Sequence, residues 1–394
     1  MTTKTDSTPI KIVITGSNGL IGWHLRVFLF TQANASYGSK PPVPMEVVCC
    51  DRSQFNDDDH LLSAVGNADV VVHLAGMNRG DEDQIAKVNI ELAERLVEFL
   101  KKSNSKPQVI YSSSTHADGD SKYGISKRTA GQRLAQWSTE SGGKFCNLIL
   151  PHVFGEHGKP FYNSVVSTFA HQLANGETPQ IDTDGQLCLL HCQDVAAEIW
   201  QRITTGFSGE ARPEGTPIKV SELLTRLQRL VSRYEEGAIP NVDDPLDHRL
   251  FNTWRSYLPH EARSSDLTLH ADNRGDLFEA IRVDGEGQVF LSTTHPGITR
   301  GDHFHTKKLE RFVVLSGKAK IRLRKVMHDD VFTFEVSGDN PQAIDIPTLH
   351  THNITNVGDE PLVTLFWAGE HFDLENADTC YLPVALPSGQ KVSA

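Results

Sequence analysis

Short apolar runs alternate with helical patterns along the first two-thirds of the chain, and this alternation constrains the fold more than any other feature. Helical periodicity extends from Gly19 to Phe30, and apolar residues recur on one face from Ile85 to Leu100. The β-rich runs predict buried parallel strands at Lys11–Thr15, Glu46–Cys50, Asp69–Leu74, Gln108–Ser112 and Phe145–Leu150. Alternation of this kind predicts an α/β fold, a doubly wound parallel sheet with helices on both faces.

The pattern changes at Pro240. Residues 246–266 are polar and interrupted by proline, and we interpret them as a connecting segment that packs against one neighbour. Beyond Leu267 the helical periodicity ends, and β-rich runs separated by turns follow at Gln288–Thr293, Arg311–Leu315, Lys320–Val326, Val331–Val336 and Pro361–Trp367. We therefore predict two domains, residues 1–245 with the α/β fold and residues 267–394 with an all-β jelly-roll fold.

Charge and composition exclude several classes of protein. The 394 residues include 38 Lys and Arg against 50 Asp and Glu, a formal net charge of −12. Such a chain repels phosphate backbones and anionic bilayers, so we expect no nucleic-acid and no membrane partner. No apolar run approaches the roughly 18 residues of a membrane span, and residues 1–9 lack the apolar core of a secretory signal. Six scattered cysteines fit buried thiols in a reducing compartment, which predicts a cytoplasmic protein.

A glycine-rich turn, Thr15–Gly22, follows the first predicted strand directly. Glycine lets backbone N–H groups approach a pyrophosphate, and the N-terminus of the next helix favours negative charge. Glycine turns end many strands that bind nothing, but this position in an alternating chain favours a dinucleotide site of the Rossmann type. The residues assigned to cofactor binding are Gly16, Asn18, Gly19, Leu20, Ile21 and Gly22.

Asp51 and Arg52 close the second predicted strand, where the adenosine ribose of a dinucleotide would lie. An aspartate there favours the free 2′-hydroxyl of NAD(H), whereas an arginine pairs with the 2′-phosphate of NADP(H). The two residues therefore leave the choice of cofactor open.

A tyrosine and a lysine, Tyr123 and Lys127, stand four residues apart on one face of a predicted helix. A nearby ammonium lowers the pKa of a phenol, so this pair suits proton transfer near neutral pH. Ser114, in the serine run that ends the fourth strand, is placed to bind the same reacting oxygen. A Tyr-x-x-x-Lys pair is common by chance on helix surfaces, but the glycine turn and serine run in this order favour a catalytic site.

With these motifs, residues 11–232 resemble the extended short-chain dehydrogenase/reductase family. The resemblance implies that Tyr123 exchanges the proton, Lys127 holds the ribose and tunes the tyrosine, and Ser114 orients the substrate. It also implies that the stretch after the third strand, Leu74, Ala75 and Gly76, contacts the cofactor. Dehydratases of this family carry an acidic pair after the catalytic serine or threonine. Thr115 and His116 stand there instead, which favours reduction or oxidation of a carbonyl.

Three histidines and a glutamate form a metal-binding pattern in the second domain: His303, His305, Glu310 and His352. His303 and His305 point to the same side of a strand, and the ligand set suits a divalent ion such as Zn²⁺. Each histidine alone is typical of an ordinary polar residue. The complete spacing of the four residues instead favours a metal site. With this motif, residues 267–381 resemble the cupin family, although Leu349 replaces a usual glycine.

Upstream of this motif, Arg274 lies in an Arg-Gly-x-x-x-Glu run similar to that of cupin sugar-nucleotide epimerases. The resemblance implies that Arg274 binds the diphosphate of the substrate. A solvated turn with a structural ion pair explains the same run equally well.

A reductase followed by a cupin resembles the bifunctional enzymes of the CapF/WbjC type, which serve capsular polysaccharide synthesis. The resemblance implies C3 epimerisation of a UDP-linked 4-keto-6-deoxy-N-acetylhexosamine by the cupin, then NADPH-dependent reduction at C4, in UDP-N-acetyl-L-fucosamine synthesis. We assign His152 and Asn163 to substrate binding, and Lys308 and His350 are candidates for the C3 base. Because cupins commonly pair through sheet edges, we expect a homodimer through the second domain.

Two alternatives stay open. In the first, the cupin is a non-catalytic module that binds sugar or dimerises, which Thr306 in place of a third consecutive histidine favours. In the second, the same four ligands serve an iron oxygenase.

Overall fold

The structure, a computed structural model, describes residues 8–34, 41–273, 275–371, 373 and 377–385. The strands of the first part of the chain are β1 (Ile10–Thr15), β2 (Met45–Cys50), β3 (Val70–His73), β4 (Gln108–Ser114), β5 (Phe145–Leu150), β6 (His152–Phe154), β7 (Gln186–His191), β8 (Gly209–Ala211), β9 (Thr216–Lys219) and β10 (Ala238–Ile239). The helices are α1 (Leu20–Ala33), α2 (Arg52–Asn56), α3 (Asp58–Gly66), α4 (Glu82–Lys102), α5 (Lys122–Ser141), α6 (Val165–Ala174), α7 (Cys192–Thr205), α8 (Val220–Glu235) and α9 (Pro245–Arg255).

A six-stranded parallel sheet in the order β2-β1-β3-β4-β5-β8 forms the centre of this part. Side chains alternate between its faces, so Val13 packs into the cluster formed with α4 and α5. Ile12 and Ile14 pack on the opposite face, where α1 lies against α7. The predicted doubly wound sheet is confirmed, and its crevice opens where the strand order reverses, at the carboxyl ends of β1 and β3.

A smaller three-stranded sheet, β6-β7-β9, packs with α6, α8 and α9 around a second apolar cluster. Helix α9 falls in the segment that we interpreted as a connection. Asp244 caps it by accepting hydrogen bonds from the N–H groups of Leu246 and Asp247. Its apolar residues Leu250, Phe251 and Trp254 are buried in the cluster. The segment therefore contains a helix that belongs to a hydrophobic core.

The last third of the chain is all-β. Its strands are β11 (Ser264–Asp266), β12 (His270–Asp272), β13 (Gly275–Leu277), β14 (Arg282–Val283), β15 (Gln288–Thr294), β16 (Thr299–Phe304), β17 (Glu310–Ser316), β18 (Lys318–Lys325), β19 (Val331–Ser337), β20 (Gln342–Ile346), β21 (His350–Asn356), β22 (Leu362–Ala368) and β23 (Cys380–Tyr381). Two five-stranded antiparallel sheets, β11-β20-β17-β22-β15 and β19-β18-β21-β16-β23, enclose a core that includes Phe312, Leu323 and Ile354. This arrangement confirms the predicted all-β fold and is consistent with a cupin.

Helices of the first domain pack directly on the second. Trp23 and Val27 of α1 share a buried cluster with Phe304, Leu349 and Leu382. A second contact is polar: Arg311 and Asp345 form a buried ion pair at 2.6 Å, and the phenol of Tyr234 donates to the same carboxylate. His248 and Asn252 of α9 both contact the carbonyl of Lys307, so the connecting helix touches two neighbours.

Within the described ranges, the structure contains no helix that is both long enough and apolar enough to cross a bilayer.

Candidate functional site

The glycine loop joins β1 to α1 and has the shape that a pyrophosphate needs. Gly16 has a φ of +72°, and a Cβ there would lie 2.8 Å from the backbone nitrogen of Ala75. A Cβ at Gly22 would lie 2.4 Å from the carbonyl oxygen of Gly16. No side chain caps α1 at Gly19, so the first N–H groups of the helix remain available to an anion. Larger residues at these glycines would close the loop.

Leu74, Ala75 and Gly76 follow β3 and form the opposite wall of the crevice. The backbone N–H of Ala75 donates to Thr15 Oγ1 at 3.3 Å, and that hydroxyl lies 2.7 Å from His73 Nδ1. Burial lowers the pKa of His73 to about 3, so its ring is neutral at physiological pH. These contacts tie the loop after β3 to the glycine loop after β1.

Asn89 on α4 is a site residue that the sequence argument missed. Its Oδ1 accepts the N–H of Met77 at 2.7 Å, and its Nδ2 donates to the carbonyl of Met77 at 2.8 Å and to Ser126 Oγ at 3.2 Å. Asn89 therefore holds the loop after β3 against the helix that carries Tyr123 and Lys127. The sequence does contain a signal for Asn89, because it is a polar residue on the otherwise apolar face of α4.

Asp51 and Arg52 lie where the sequence predicts, at the end of β2. Asp51 caps α2: its Oδ1 accepts Gln54 N–H at 2.9 Å and Ser53 Oγ–H at 2.7 Å. These hydrogen bonds lower the pKa of Asp51. Arg52 is the exposed first residue of α2. One oxygen of Asp51 is thus engaged by its own helix, while Arg52 faces solvent.

Tyr123, Lys127 and Ser114 come together at the carboxyl end of β4, next to the cofactor crevice. Burial raises the pKa of Tyr123, opposed by a hydrogen bond from Ser114. Burial also lowers the pKa of Lys127 to about 8, and its Nζ lies 4.8 Å from the centre of the Tyr111 ring. We expected Lys127 to lower the pKa of the phenol. In the structure, burial raises the pKa of Tyr123 by more than the hydrogen bond from Ser114 lowers it. A protonated phenol is the form that donates to a developing alkoxide.

His152 lies in the same cleft and Asn163 lies near its rim. The His116 ring is 5.9 Å from the Tyr123 ring, and both burial and His116 lower the pKa of His152. His152 Nε2 lies 3.3 Å from Ser164 Oγ, beside the exposed Asn163. The sequence assigned both His152 and Asn163 to the substrate, and the structure places His152 in contact with Ser164, the next residue in the chain after Asn163.

An exposed tyrosine between two cations lies beyond this cleft. Tyr162 has the guanidinium of Arg79 at 5.9 Å and the ammonium of Lys159 at 5.2 Å from its ring centre. Arg79 also donates to the carbonyls of Phe161 and Tyr162. Arg79 ends the loop that begins beside Lys127, where a Cβ on Gly76 would lie 3.6 Å from Lys127 Nζ. This loop thus links Lys127 to a positively charged aromatic surface.

The four predicted metal ligands converge. One ligand atom from each of four residues lies within 4.8 Å of the others, and these residues are His303, His305, Glu310 and His352. His305 Nε2 and His352 Nε2 lie 2.9 and 3.2 Å from the same oxygen, Glu310 Oε2. All three atoms are buried, yet none has a hydrogen bond of acceptable geometry within the described residues. Three unsatisfied electron-pair donors aimed at one point fit a divalent cation.

Hydrogen bonds on the far side of the rings fix the orientation of two ligands. The Nδ1–H of His305 donates to the carbonyl of Asp378, and that of His352 donates to the carbonyl of His350 at 3.3 Å. Each Nε2 therefore presents its lone pair to the cluster, the arrangement usual for metal-bound histidine. Strand β16 has a β-bulge at Gly301 and Asp302, just before the predicted ligands. The bulge is seen as a shift in the pairing of β16 with β21 between Gly301 and His303.

The two candidate bases occupy different places. Lys308 Nζ lies 3.5 Å from Glu310 Oε1, at the edge of the cluster of four predicted ligands. The His350 ring packs against His157 of the first domain at 5.8 Å, and its Nδ1 donates to the carbonyl of Thr348. The geometry therefore favours Lys308 over His350. Arg274, the predicted diphosphate ligand, lies outside the described residues.

Comparisons with known proteins find matches for both parts of the chain. Residues 12–212 match the NAD dependent epimerase/dehydratase family, and residues 270–380 match the polysaccharide biosynthesis C-terminal domain. The chain is 30% identical over 376 residues to the UDP-2-acetamido-2,6-beta-L-arabino-hexul-4-ose reductase of Pseudomonas aeruginosa, covering 94% of this chain and 98% of that protein.

The crystal structure of the capsular polysaccharide assembling protein CapF from Staphylococcus aureus matches with a TM-score of 0.60 and 32% identity, covering 95% of this chain and 100% of that one. A Haloferax volcanii protein named "Probable low-salt glycan biosynthesis epimerase Agl13" is 28% identical over 136 residues, 32% of this chain and 87% of its own length. The chain belongs to the NAD dependent epimerase/dehydratase family and is an NAD(P)-dependent enzyme of the CapF type.

Proposed function

We propose that this chain converts a UDP-linked 4-keto-6-deoxy-N-acetylhexosamine in two steps, C3 epimerisation in the cupin and NADPH-dependent C4 reduction in the first domain, on the route to UDP-N-acetyl-L-fucosamine for a capsule or other surface polysaccharide. The observation that carries the proposal is the presence of two complete constellations in one chain: Ser114, Tyr123 and Lys127 in the first domain, and four converging metal ligands in the second. Support comes from the 30% identical relative, whose name describes reduction of a UDP-linked hexulose.

In the reduction, the chain positions a carbonyl and supplies a proton. The glycine loop and Lys127 would hold a nicotinamide cofactor, which would supply the hydride for C4. Ser114 orients the keto oxygen, and the buried, protonated phenol of Tyr123 gives it a proton. Elimination needs an acid and base beside the sugar, and Thr115 with His116 do not supply the acidic pair of the dehydratases.

Tyr162, Arg79 and Lys159 suit the nucleotide end of the substrate. An exposed ring offers a stacking surface for a uracil, and the two cations attract a diphosphate. In a chain of net charge −12, a local positive surface next to the catalytic cleft favours an anionic substrate.

In the epimerisation, a 4-keto group acidifies the C3 proton. The three imidazoles and the carboxylate would hold a divalent ion with net positive charge, and such an ion would supply polarisation of a neighbouring carbonyl. Lys308 lies at the edge of this cluster and is our candidate for the group that moves the C3 proton. The matched position for comparison is Lys307, which pairs with Glu370 at 3.3 Å instead.

Cofactor choice follows from Asp51 and Arg52. Asp51 is already engaged as the cap of α2, whereas Arg52 is exposed at its first turn and free to reach a 2′-phosphate. We therefore propose NADPH over NADH. The comparison of kcat/KM for the two cofactors checks this, and a preference for NADH would contradict it.

A homodimer through the second domain is the proposed assembly. Among the described strands, β15 lies at the edge of its sheet. It also exposes three large apolar side chains, Val289, Phe290 and Leu291. An apolar sheet edge of this kind favours pairing with a second copy.

The decisive experiment follows a UDP-4-keto-6-deoxy-N-acetylhexosamine by NMR in D₂O, with and without NADPH. Without NADPH we expect deuterium at C3, and with it a 4-hydroxy sugar that carries this deuterium. A variant with both His303→Gln and His305→Gln should lose deuterium entry. Lys308→Met should do the same, whereas Lys307→Met should not.

Reduction without C3 exchange in the wild type would favour the non-catalytic cupin. Oxygen consumption by an iron-loaded protein would favour the oxygenase, and absence of NADPH oxidation with every such sugar would contradict the reductase assignment.

A further inference from the structure

The loop between two of the metal ligands is held by a single carboxylate. Residues 306–308 lie between His305, which directly follows β16, and Glu310 at the start of β17. The side chain of Asp378 accepts the backbone N–H of Thr306 at 2.9 Å, of Lys307 at 2.8 Å and of Lys308 at 2.9 Å. It also accepts the hydroxyl of Thr306 at 2.7 Å. Three consecutive amides and a hydroxyl thus converge on one residue about seventy positions downstream.

The same residue contacts a ligand directly. The backbone carbonyl of Asp378 accepts the Nδ1–H of His305. Its side chain therefore fixes the loop, and its main chain fixes the ring orientation that points Nε2 at Glu310.

Strand pairing explains how a distant residue reaches this position. In the β16–β23 ladder, Phe304 stands opposite Cys380 and His303 opposite Tyr381. Extending this antiparallel register places Asp378 opposite Thr306. The segment is anchored beyond Asp378 by the buried Cys380 and Leu382, which pack against Trp23 of α1.

We propose that Asp378 is a positioning residue of the metal centre, where it holds the 306–308 loop and the orientation of His305 so that His305, Glu310 and Lys308 keep their places around the ion. The proposal rests on the proposed metal-dependent function. Only a carboxylate matches this set of donors, because an asparagine of the same size would turn an N–H group toward N–H groups. Outer partners of this kind typically change metal affinity by about 10- to 100-fold when removed.

The test measures Zn²⁺ affinity of the full chain by competition with a chromophoric chelator, for wild type and Asp378→Asn. We expect a loss of about 10- to 100-fold in affinity and a changed visible spectrum of the Co²⁺-loaded variant. NADPH binding in the first domain should stay at the wild-type value. The matched control is Asp266→Asn, which makes the same chemical change at a carboxylate that contacts Gln342.

A merely structural role predicts a different pattern. It would lower the melting temperature of the metal-free variant, whereas a positioning role leaves that temperature close to wild type and reduces the increase produced by Zn²⁺. If Asp378→Asn does not fold, Thr306→Val removes one contact only, and we expect a few-fold loss of affinity. Wild-type affinity and an unchanged Co²⁺ spectrum in Asp378→Asn, or wild-type affinity in Thr306→Val, would overturn the proposal.

The outcome for the wild type separates this inference from the proposed function. A wild type that binds Zn²⁺ tightly but gives no C3 exchange would remove the epimerase activity and leave Asp378 as a positioning residue. A wild type that binds no divalent ion would overturn both.

Discussion

At the scale of single residues, Tyr123 carries the reductase assignment. Its spacing from Lys127 was readable from the sequence, because four residues make one helical turn. Its protonation was not, since the pKa of the phenol depends on burial, which only the folded chain defines.

The first prediction concerns this phenol. Tyr123→Phe removes the proton donor and should lower the rate of C4 reduction by about 10²- to 10⁴-fold, measured as NADPH oxidation. C3 deuterium exchange should continue, because the metal cluster lies in the other domain. NADPH oxidation near the wild-type rate would show that another group gives the proton. Tyr257→Phe is the matched control, since its hydroxyl donates to the carbonyl of Gly158 outside this constellation.

Residues whose partners are distant in sequence escaped prediction. Asp378 contacts a loop 70–72 residues upstream, and Glu156 lies buried between His24 and His191. Neither belongs to a spaced motif. The metal ligands, by contrast, were predicted because three of them lie within eight residues of each other.

At the scale of elements, local pattern predicted the five long strands of the parallel sheet and five long strands of the all-β part, but not the shorter strands. β5 matches its predicted bounds, and β1 and β2 differ by one residue at one end. Helix α9 was missed because its polar residues and Pro245 resemble a linker, although its apolar residues recur at helical spacing. Strands β20 and β21 were missed because polar and ligand residues interrupt their alternation, and β16, expected to carry both His303 and His305, ends at Phe304.

Strand β15 leads to the second prediction. Leu291→Lys places a charge on the apolar sheet edge, where 65% of this side chain is exposed in the single chain. The charge would have to be desolvated in a paired edge, so we expect the dimer to dissociate. Sedimentation velocity of both proteins measures this. Val357→Lys makes a similar change at another exposed apolar residue and should not alter the mass. A monomeric wild type would contradict the proposed assembly.

At the scale of the whole molecule, buried polar groups join the two domains. Glu156 follows the cleft strand β6, its Oε2 lies 3.1 Å from His191 Nε2, and Thr348 of the second domain donates to its other oxygen at 3.5 Å. His24 Nε2–H donates to the carbonyl of Glu156, and His24 Nδ1 accepts from Gln193. A neutral imidazole satisfies both of these bonds.

The third prediction follows from the charge state of His24. Burial lowers the pKa of His24 to about 4, against about 6.5 when unfolded. Its contribution to stability is therefore complete above pH 6.5 and is lost as the pH falls toward 4, by about 3 kcal/mol at most. His24→Gln should flatten the dependence of the unfolding free energy on pH in this window. Denaturant titrations at several pH values measure it, with the exposed His295→Gln as control. An unchanged slope in His24→Gln would contradict the assignment.

Helix α9 also bears on how such proteins exchange parts during evolution. Its apolar face is buried with α8, while His248 and Asn252 reach the loop that carries Lys307. A genetic crossover inside the codons for this helix would combine helix residues from one parent with a contacting loop from the other parent. Viable hybrids should therefore inherit α9 together with the reductase core, and the loop that it contacts should change along with it.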